Sequence, residues 1–427
     1  MKKKNFKIRS WLRQLGPGLV TGAADDDPSG IATYSQAGAK FGYELGWTVV
    51  LTYPLMVAVQ MISARLGRVT GRGLADNIRQ NFPAPVLYAL VIMLLVANTI
   101  NVAADVAAMG QSLQLVVGGP VHLYAVGFGV VCLALEVYLP YRRYVTYLKW
   151  LTLVLFAYVA VALAANVSWS AVLLGIVWPR VPLSSDMLTV IVAVFGTTIS
   201  PYLFFWQAAL EVEEVNAHPK AHALKQSPSQ APRQLRRINI DTYVGMGISN
   251  AIALFIIIAT AATLHQSGIL DIETSAQAAE ALRPIAGPLA FLLFSLGIIG
   301  TGMLAIPVLA GSAAYAVAET FRWRRGLDRK PREARRFYAI VALATLGGTA
   351  LTFSPIDPIR ALFWSAVING VISVPVLIVM MLLAGNAKVM GKFVSSPRLK
   401  FVGWLATAVM AAAVCAMFFA TDSLDLP

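Results

Sequence analysis

This 427-residue chain contains only two cysteines and four histidines, and only 13% of its residues are charged. Cys132 and Cys415 fall in separate apolar stretches, so neither a disulfide framework nor a thiolate metal site is expected. His122 and His265 stand at the edges of apolar stretches, and His218 and His222 lie in a polar loop. No buried imidazole is therefore expected to carry protons near neutral pH. Nucleophile–base constellations, glycine-rich phosphate loops and zinc-binding spacings are missing as well, which leaves an enzyme reading without support. No cofactor is called for.

Apolar residues are what the chain has in abundance: 58% are hydrophobic and the mean hydropathy is +0.68. Stretches of roughly 17–25 apolar residues, enough to cross a bilayer as helix, recur throughout. Eleven are read: Gly16–Phe41, Leu45–Leu66, Val86–Val117, Tyr124–Leu139, Tyr144–Val167, Leu188–Leu210, Tyr243–Leu264, Ala286–Ala318, Phe337–Phe353, Ala361–Leu383 and Phe401–Ala420. The expected fold is all-α and membrane-integral, with no soluble domain left over.

The net charge of +13 has a placement that argues against nucleic acid as a partner. Segments 1–14, 65–79, 142–149, 220–237, 322–336 and 388–400 hold 30 of the 34 Lys and Arg residues. They fall on one side of the membrane if the N-terminus is cytoplasmic, which also places the C-terminus outside. Contact with acidic headgroups is compatible with this pattern and adds nothing specific. Gly16-Pro17-Gly18 interrupts the apolar run before a signal-peptide core could form, so no cleaved leader is expected. The polar loops Val215–Arg237 and Arg322–Arg336 read as cytoplasmic, the first as flexible. Trp178–Asp186 and Gln266–Pro284 read as external caps.

Two polar interruptions stand inside apolar spans: Asp25-Asp26-Asp27-Pro28-Ser29-Gly30, and Thr197-Thr198-Ile199-Ser200-Pro201-Tyr202. An ionised Asp at bilayer depth costs roughly 2.5–3.5 kcal/mol, so the acids require a cavity, a partner or a cation. Pro28 removes a backbone donor and Gly30 adds freedom beside them, which breaks the helix where the charge is. The interruptions lie in the first and sixth spans. This spacing makes the second unit antiparallel to the first, an inverted five-plus-five repeat (about 15–167 and 188–384) with one extra helix (about 401–420). Breaks at corresponding places in two halves point to a carrier's ion site.

Asp27, at the end of the first half-helix, reads as the principal charged ligand, with unwound carbonyls around it. Thr197, Thr198 and Ser200 offer hydroxyls, the bland alternative being bonds back to their own helix. Neither interruption contains Met, Cys or His, so the oxygen-only set fits Mg²⁺ or a similar hard ion. Asn98, Asn101 and Asp105 form one polar stripe on the third span, either lining the centre or bonding helix to helix. Asn369 is a weaker candidate of the same kind. Glu136 and Asp241 lie near span ends, where headgroup exposure explains them.

The runs Gly16-Pro-Gly-Leu-Val-Thr-Gly-Ala-Ala-Asp-Asp-Asp-Pro-Ser-Gly-Ile-Ala-Thr, Gln36-Ala-Gly-Ala-Lys-Phe-Gly-Tyr and Ala64-Arg-Leu-Gly-Arg-Val-Thr-Gly-Arg-Gly-Leu-Ala resemble the Nramp divalent-metal transporters. The resemblance implies a LeuT-like fold with the metal between the unwound parts of the first and sixth helices. Where the family's metal carriers have Asp-Pro-Gly-Asn, this chain has Asp27-Pro28-Ser29-Gly30; where they have Met-Pro-His, it has Ser200-Pro201-Tyr202. Gln207 stands where they have a further histidine, and their third-helix Asp and Glu pair appears as Asp105 and Ala108. These departures are similar to the Nramp-related magnesium transporter branch.

The expectation is a cell-membrane Mg²⁺ carrier working by alternating access without proton coupling, its partners the ion and the bilayer, with no obligate protein partner. Asp27, Gly30, Thr197 and Ser200 are expected at the ion. Asp25, Asp26, Asp105, Thr198, Tyr202, Gln207 and Asn369 are expected around it or in a vestibule. A proton-coupled Mn²⁺/Fe²⁺ importer and an organic-cation symporter of the same fold are the alternatives.

Overall fold

A computed structural model describes residues 21, 22, 24–139, 151–180, 184–327, 329–353 and 356–422. The basic segments 1–14 and 142–149 lie outside them, as does the start of the first and fifth expected spans.

The helices that matter here are α1 (Pro28–Phe41), α2 (Gly46–Thr70), α3 (Leu74–Asn81), α4 (Ala84–Val117), α5 (Val121–Tyr138), α6 (Phe156–Ala164) and α7 (Trp169–Val177). They continue as α8 (Ser185–Thr198), α9 (Pro201–Ala217), α10 (Ala231–Thr260), α11 (Ala290–Thr320), α12 (Arg335–Leu351), α13 (Pro358–Gly385) and α14 (Pro397–Asp422). Among the described residues, eight helical stretches are long and apolar enough to cross a membrane, or nine if α6 and its neighbour, bent by 111°, count as one. Eleven spans were expected. Part of the difference is that Pro28–Thr70 runs two expected spans together through the short turn Gly42–Leu45. The 17-residue α12 also falls short of a full span by length alone.

Both expected breaks are present, and proline makes each. Residues 24 and 25 are helical, the helix stops at Asp26-Asp27, and α1 restarts with Pro28 in its first turn. Likewise α8 ends at Thr198 and α9 restarts at Pro201. Proline suits a first helical turn because its missing N–H is an orphan there in any case. The loop expected from Val215 to Arg237 is shorter than its composition implied. Helix α9 continues to Ala217, and α10 begins at Ala231, with Pro232 in its first turn.

Burial sorts the helices into layers. Within Ser185–Ala217 the most apolar 18-residue window is 89% buried, whereas Val121–Tyr138 is 22% buried. The broken helix therefore lies at the centre and α5 at the periphery. Outer helices turn Val130, Val131, Leu343, Trp364, Phe401 and Phe419 outward, a surface that water would penalise and lipid would not. Inside, α4 packs against α11, α12 and α13, while α8 packs on α13, α9 on α2 and α10 on α1. The loop after α10 lies over helix ends at one side. Gln36 of α1 bonds Asp271 and the Ile272 amide, Lys40 pairs with Asp186 and Asp271, and Gln111 of α4 accepts from Ser275. That matches its reading as a cap.

Close approach of α8 to α13 depends on Gly196. A Cβ there would lie 2.0 Å from the Ala366 carbonyl oxygen and 2.5 Å from the Gly370 nitrogen, both rigid backbone. Gly196→Ala is expected to cost about 1–3 kcal/mol through overpacking, read as a lower unfolding temperature in detergent. An unchanged midpoint would mean that the two helices can separate freely.

Candidate metal site

The two breaks meet. A Cβ on Gly30 would lie 3.1 Å from the Thr197 hydroxyl, 3.3 Å from the Tyr34 ring and 3.5 Å from the Asp25 carbonyl. An asparagine at position 30 would therefore have to displace Thr197. Asp25, Asp26 and Asp27 are all buried, with exposures of 0%, 3% and 1%.

Asp27 is not the end of the first half-helix, as expected, but the N-cap of α1. Its carbonyl accepts the Ile31 amide at 3.1 Å and so stays within the ladder. The carboxylate divides its partners by oxygen. Oδ1 accepts the Gly30 amide at 2.7 Å and the Ser29 hydroxyl at 2.8 Å, which are short capping bonds. Oδ2 accepts Asn101 Nδ2 at 3.2 Å and the Tyr202 hydroxyl at 3.4 Å. These longer bonds come from side chains that can rotate, so Oδ2 is the oxygen a cation could claim at least cost.

Two hydroxyls of the second break, those of Thr198 and Ser200, are turned toward their own helix. Thr198 donates to Val194 and Phe195 carbonyls, and Ser200 donates to Gly196 and Thr197 carbonyls at 2.7 and 2.8 Å. The back-bonding alternative holds for both, because α8 ends here and its last carbonyls need donors. Ser200 retains lone pairs; Thr198 is spent on its helix and belongs to the wall.

Around this centre, Asp25 Oδ2 and Asp26 Oδ1 both share the Ser249 hydroxyl of α10, at 2.6 and 2.9 Å. Tyr202 reaches the Ala24 carbonyl at 3.3 Å, tying α9 to the first break. Gln207 accepts from Thr21 at 2.5 Å, one turn further along α9. The polar stripe on α4 divides its roles. Asn98 bonds Leu309 and Ser312 of α11, Asn101 holds Asp27 while accepting from Ser365 of α13, and both oxygens of buried Asp105 lack a hydrogen-bond partner. Asn369, 1% exposed, has its Oδ1 unpartnered on α13 and contacts none of the acids by hydrogen bond.

Ser249 and Ser365 were missed, since a single serine in an apolar helix has no pattern to distinguish it. Glu136 and Asp241 are not headgroup-exposed: they are 3% and 2% exposed, and Glu136 accepts from Thr345 of α12 at 3.4 Å. Helix packing on both sides of these span ends covers them. Among the described residues no group of three or more His, Cys, Asp and Glu is arranged to hold a metal. An ion at Asp27 would take its other ligands from neutral oxygens or keep water. A cavity of about 380 Å³ between α9, α11 and the following loop lies elsewhere, lined by Glu213, Tyr315, Glu319 and Arg325 among others.

Known proteins share this fold. A divalent metal cation transporter MntH from Verminephrobacter eiseniae is 30% identical over 369 residues, covering 82% of this chain and 80% of the relative. The crystal structure of an Eremococcus coleocola manganese transporter, bound to an aromatic bis-isothiourea compound, superposes with a TM-score of 0.74 at 18% identity, over 96% of this chain and 86% of that one. Mhp1, a nucleobase-cation-symport-1 family transporter, superposes at 0.54 with 15% identity, over 96% and 93%. These likenesses establish a LeuT-like architecture with broken first and sixth helices. The pattern described as natural resistance-associated macrophage protein-like matches residues 18–420, and the chain belongs to this Nramp family.

Proposed function

We propose that the protein carries divalent metal ions across a cell membrane, with Mg²⁺ as its principal cargo, by alternating access. The observation that carries this reading is the buried Asp27 carboxylate where two broken helices meet, surrounded by oxygen and amide groups with no sulfur or imidazole bonded to it. A hard ion that sheds water reluctantly suits one carboxylate and neutral oxygens; a late transition metal gains little from them. Asp27, Gly30, Thr197 and Ser200 frame the ion in this reading. The basic segments face the cytoplasm and the loop after α10 faces outward.

Mn²⁺ is the second reading, supported by the Verminephrobacter relative's description as a divalent metal cation transporter and the Eremococcus protein's as a manganese transporter. Proteoliposome flux with Mg²⁺, Mn²⁺ and a panel of organic amines separates the possibilities. Mg²⁺ uptake exceeding Mn²⁺ uptake is the expected result, and amine uptake without metal uptake would discard the metal reading altogether.

A substitution reports on ligand softness. Ser200→Met is expected to raise Cd²⁺ affinity about tenfold and to slow Mg²⁺ uptake, because a thioether adds a soft ligand and occupies room for water. Calorimetry without any gain in Cd²⁺ affinity would remove position 200 from the ion's surroundings.

A further inference from the structure

Two rows of side chains lead away from the metal site in the same direction. On α9 they are Tyr202, bonded to Asp27; Gln207, bonded to Thr21; and Glu211, bonded to Arg237 at 2.5 Å. On α10 they recur every fourth residue and so share one side of the helix: Ser249 on the acids, Gly245, Asp241 and Arg237. Thr21 and Gly22, before the first break, lie in the lane between them: Thr21 bonds Gln207, and a Cβ on Gly22 would stand 2.5 Å from the Gly245 backbone, so the two segments touch.

At the far end of this lane the charges do not balance by pairs. Glu211 is 0% exposed, and although Oε2 is taken by Arg237, Oε1 has no partner. Arg68 of α2 is 1% exposed, and none of its Nε, Nη1 and Nη2 has a hydrogen-bond partner among the described residues. It lies within electrostatic range of Glu211, Glu214 and Arg237, and a Cβ on its neighbour Gly67 would stand 2.3 Å from the carbonyl oxygen of Ala208, one turn before Glu211 on α9. A guanidinium buried in this way is costly to keep unless another arrangement uses it.

We propose that Glu211 is a shared carboxylate that opens and closes this lane by exchanging arginines. Paired with Arg237 it holds α9 to α10 and shuts the lane. Transferred to Arg68 it releases α10, and the Thr21–Gln207 contact can part. Arg68 and Arg237 are positioning residues that act on the ion's route through Glu211. The inference rests on alternating access and does not depend on which metal is carried.

The test exploits the opposite signs this exchange requires. Thr21→Cys in a Cys415→Ser background, with the full chain in nanodiscs, gives a thiol in the lane whose modification by a polar maleimide reports opening. Arg237→Gln is expected to speed modification and Arg68→Gln to slow it, each about tenfold, a typical coupling between two sites. In a Glu211→Gln background both effects should vanish, and Arg68→Lys should restore part of the Arg68 effect. In flux, Arg68→Gln should lower the maximal rate with KM little changed. Equal-sign shifts, the mark of mere destabilisation, would overturn the exchange, as would no shift in either variant. Labelling needs no cargo, so a protein that fails to carry Mg²⁺ still reveals whether the arginines exchange.

Discussion

Asp27→Ala is expected to reduce Mg²⁺ flux at least about a hundredfold, equivalent to roughly 2.7 kcal/mol at 1.36 kcal/mol per tenfold. Among the described residues, Asp27 is the carboxylate hydrogen-bonded into both breaks, to Gly30 in the first and Tyr202 in the second. The same substitution removes the α1 cap, a loss of about 1 kcal/mol, which a well-packed bundle survives. Asp27→Asn separates the two effects. Asparagine caps a helix as well as aspartate does, so the Gly30 amide keeps an acceptor while the charge is gone. Both variants should purify folded and both should fail to transport. Flux near the wild-type level in either would remove Asp27 from the site.

Uptake is expected to proceed without an obligatory proton. None of the described histidines is buried, and on α9 the side chain bonded to Asp27 is Tyr202 and the next polar one is Gln207, neither of them an imidazole. Ala108, one turn from Asp105 on α4, offers no second carboxylate there. The membrane potential alone supplies about 4.6 kcal/mol per 100 mV for a divalent ion, at about 2.3 for each elementary charge. That is sufficient to drive Mg²⁺ inward. Liposomes containing a pH dye check this directly. The expected trace is flat while Mg²⁺ enters under an imposed potential. Acidification that appears only with Mg²⁺ and scales with it would establish coupling, with Asp105 and Glu136 the first residues to replace.

The breaks were legible because acids and prolines inside apolar runs conflict with a regular spanning helix. The burial of Asp27 at the break was legible for the same reason, although its part as a cap was not, since capping depends on which half-helix claims the residue. Hydroxyl direction could not be read at all. Thr198 and Ser200 satisfy the last carbonyls of α8, and a sequence does not say whether a hydroxyl serves its own turn or a neighbour. Asn98 and Asn101 show the same limit, three residues apart, one bonded to α11 and the other to Asp27. Glu136 and Asp241 were misplaced because proximity to a span end was taken for exposure, whereas neighbouring helices extend far enough to cover both.

The meeting of the two breaks has an electrical consequence. Each break brings together one helix end and one helix start. The macrodipole gives these about −0.5 and +0.5 of an elementary charge, so the four termini nearly cancel. Asp25 and Asp26 turn toward Ser249, so the carboxylate bonded across both breaks is Asp27. One carboxylate neutralises half the charge of a divalent ion. An ion so held is attracted enough to enter and undercompensated enough to leave, an arrangement that favours turnover over tight retention.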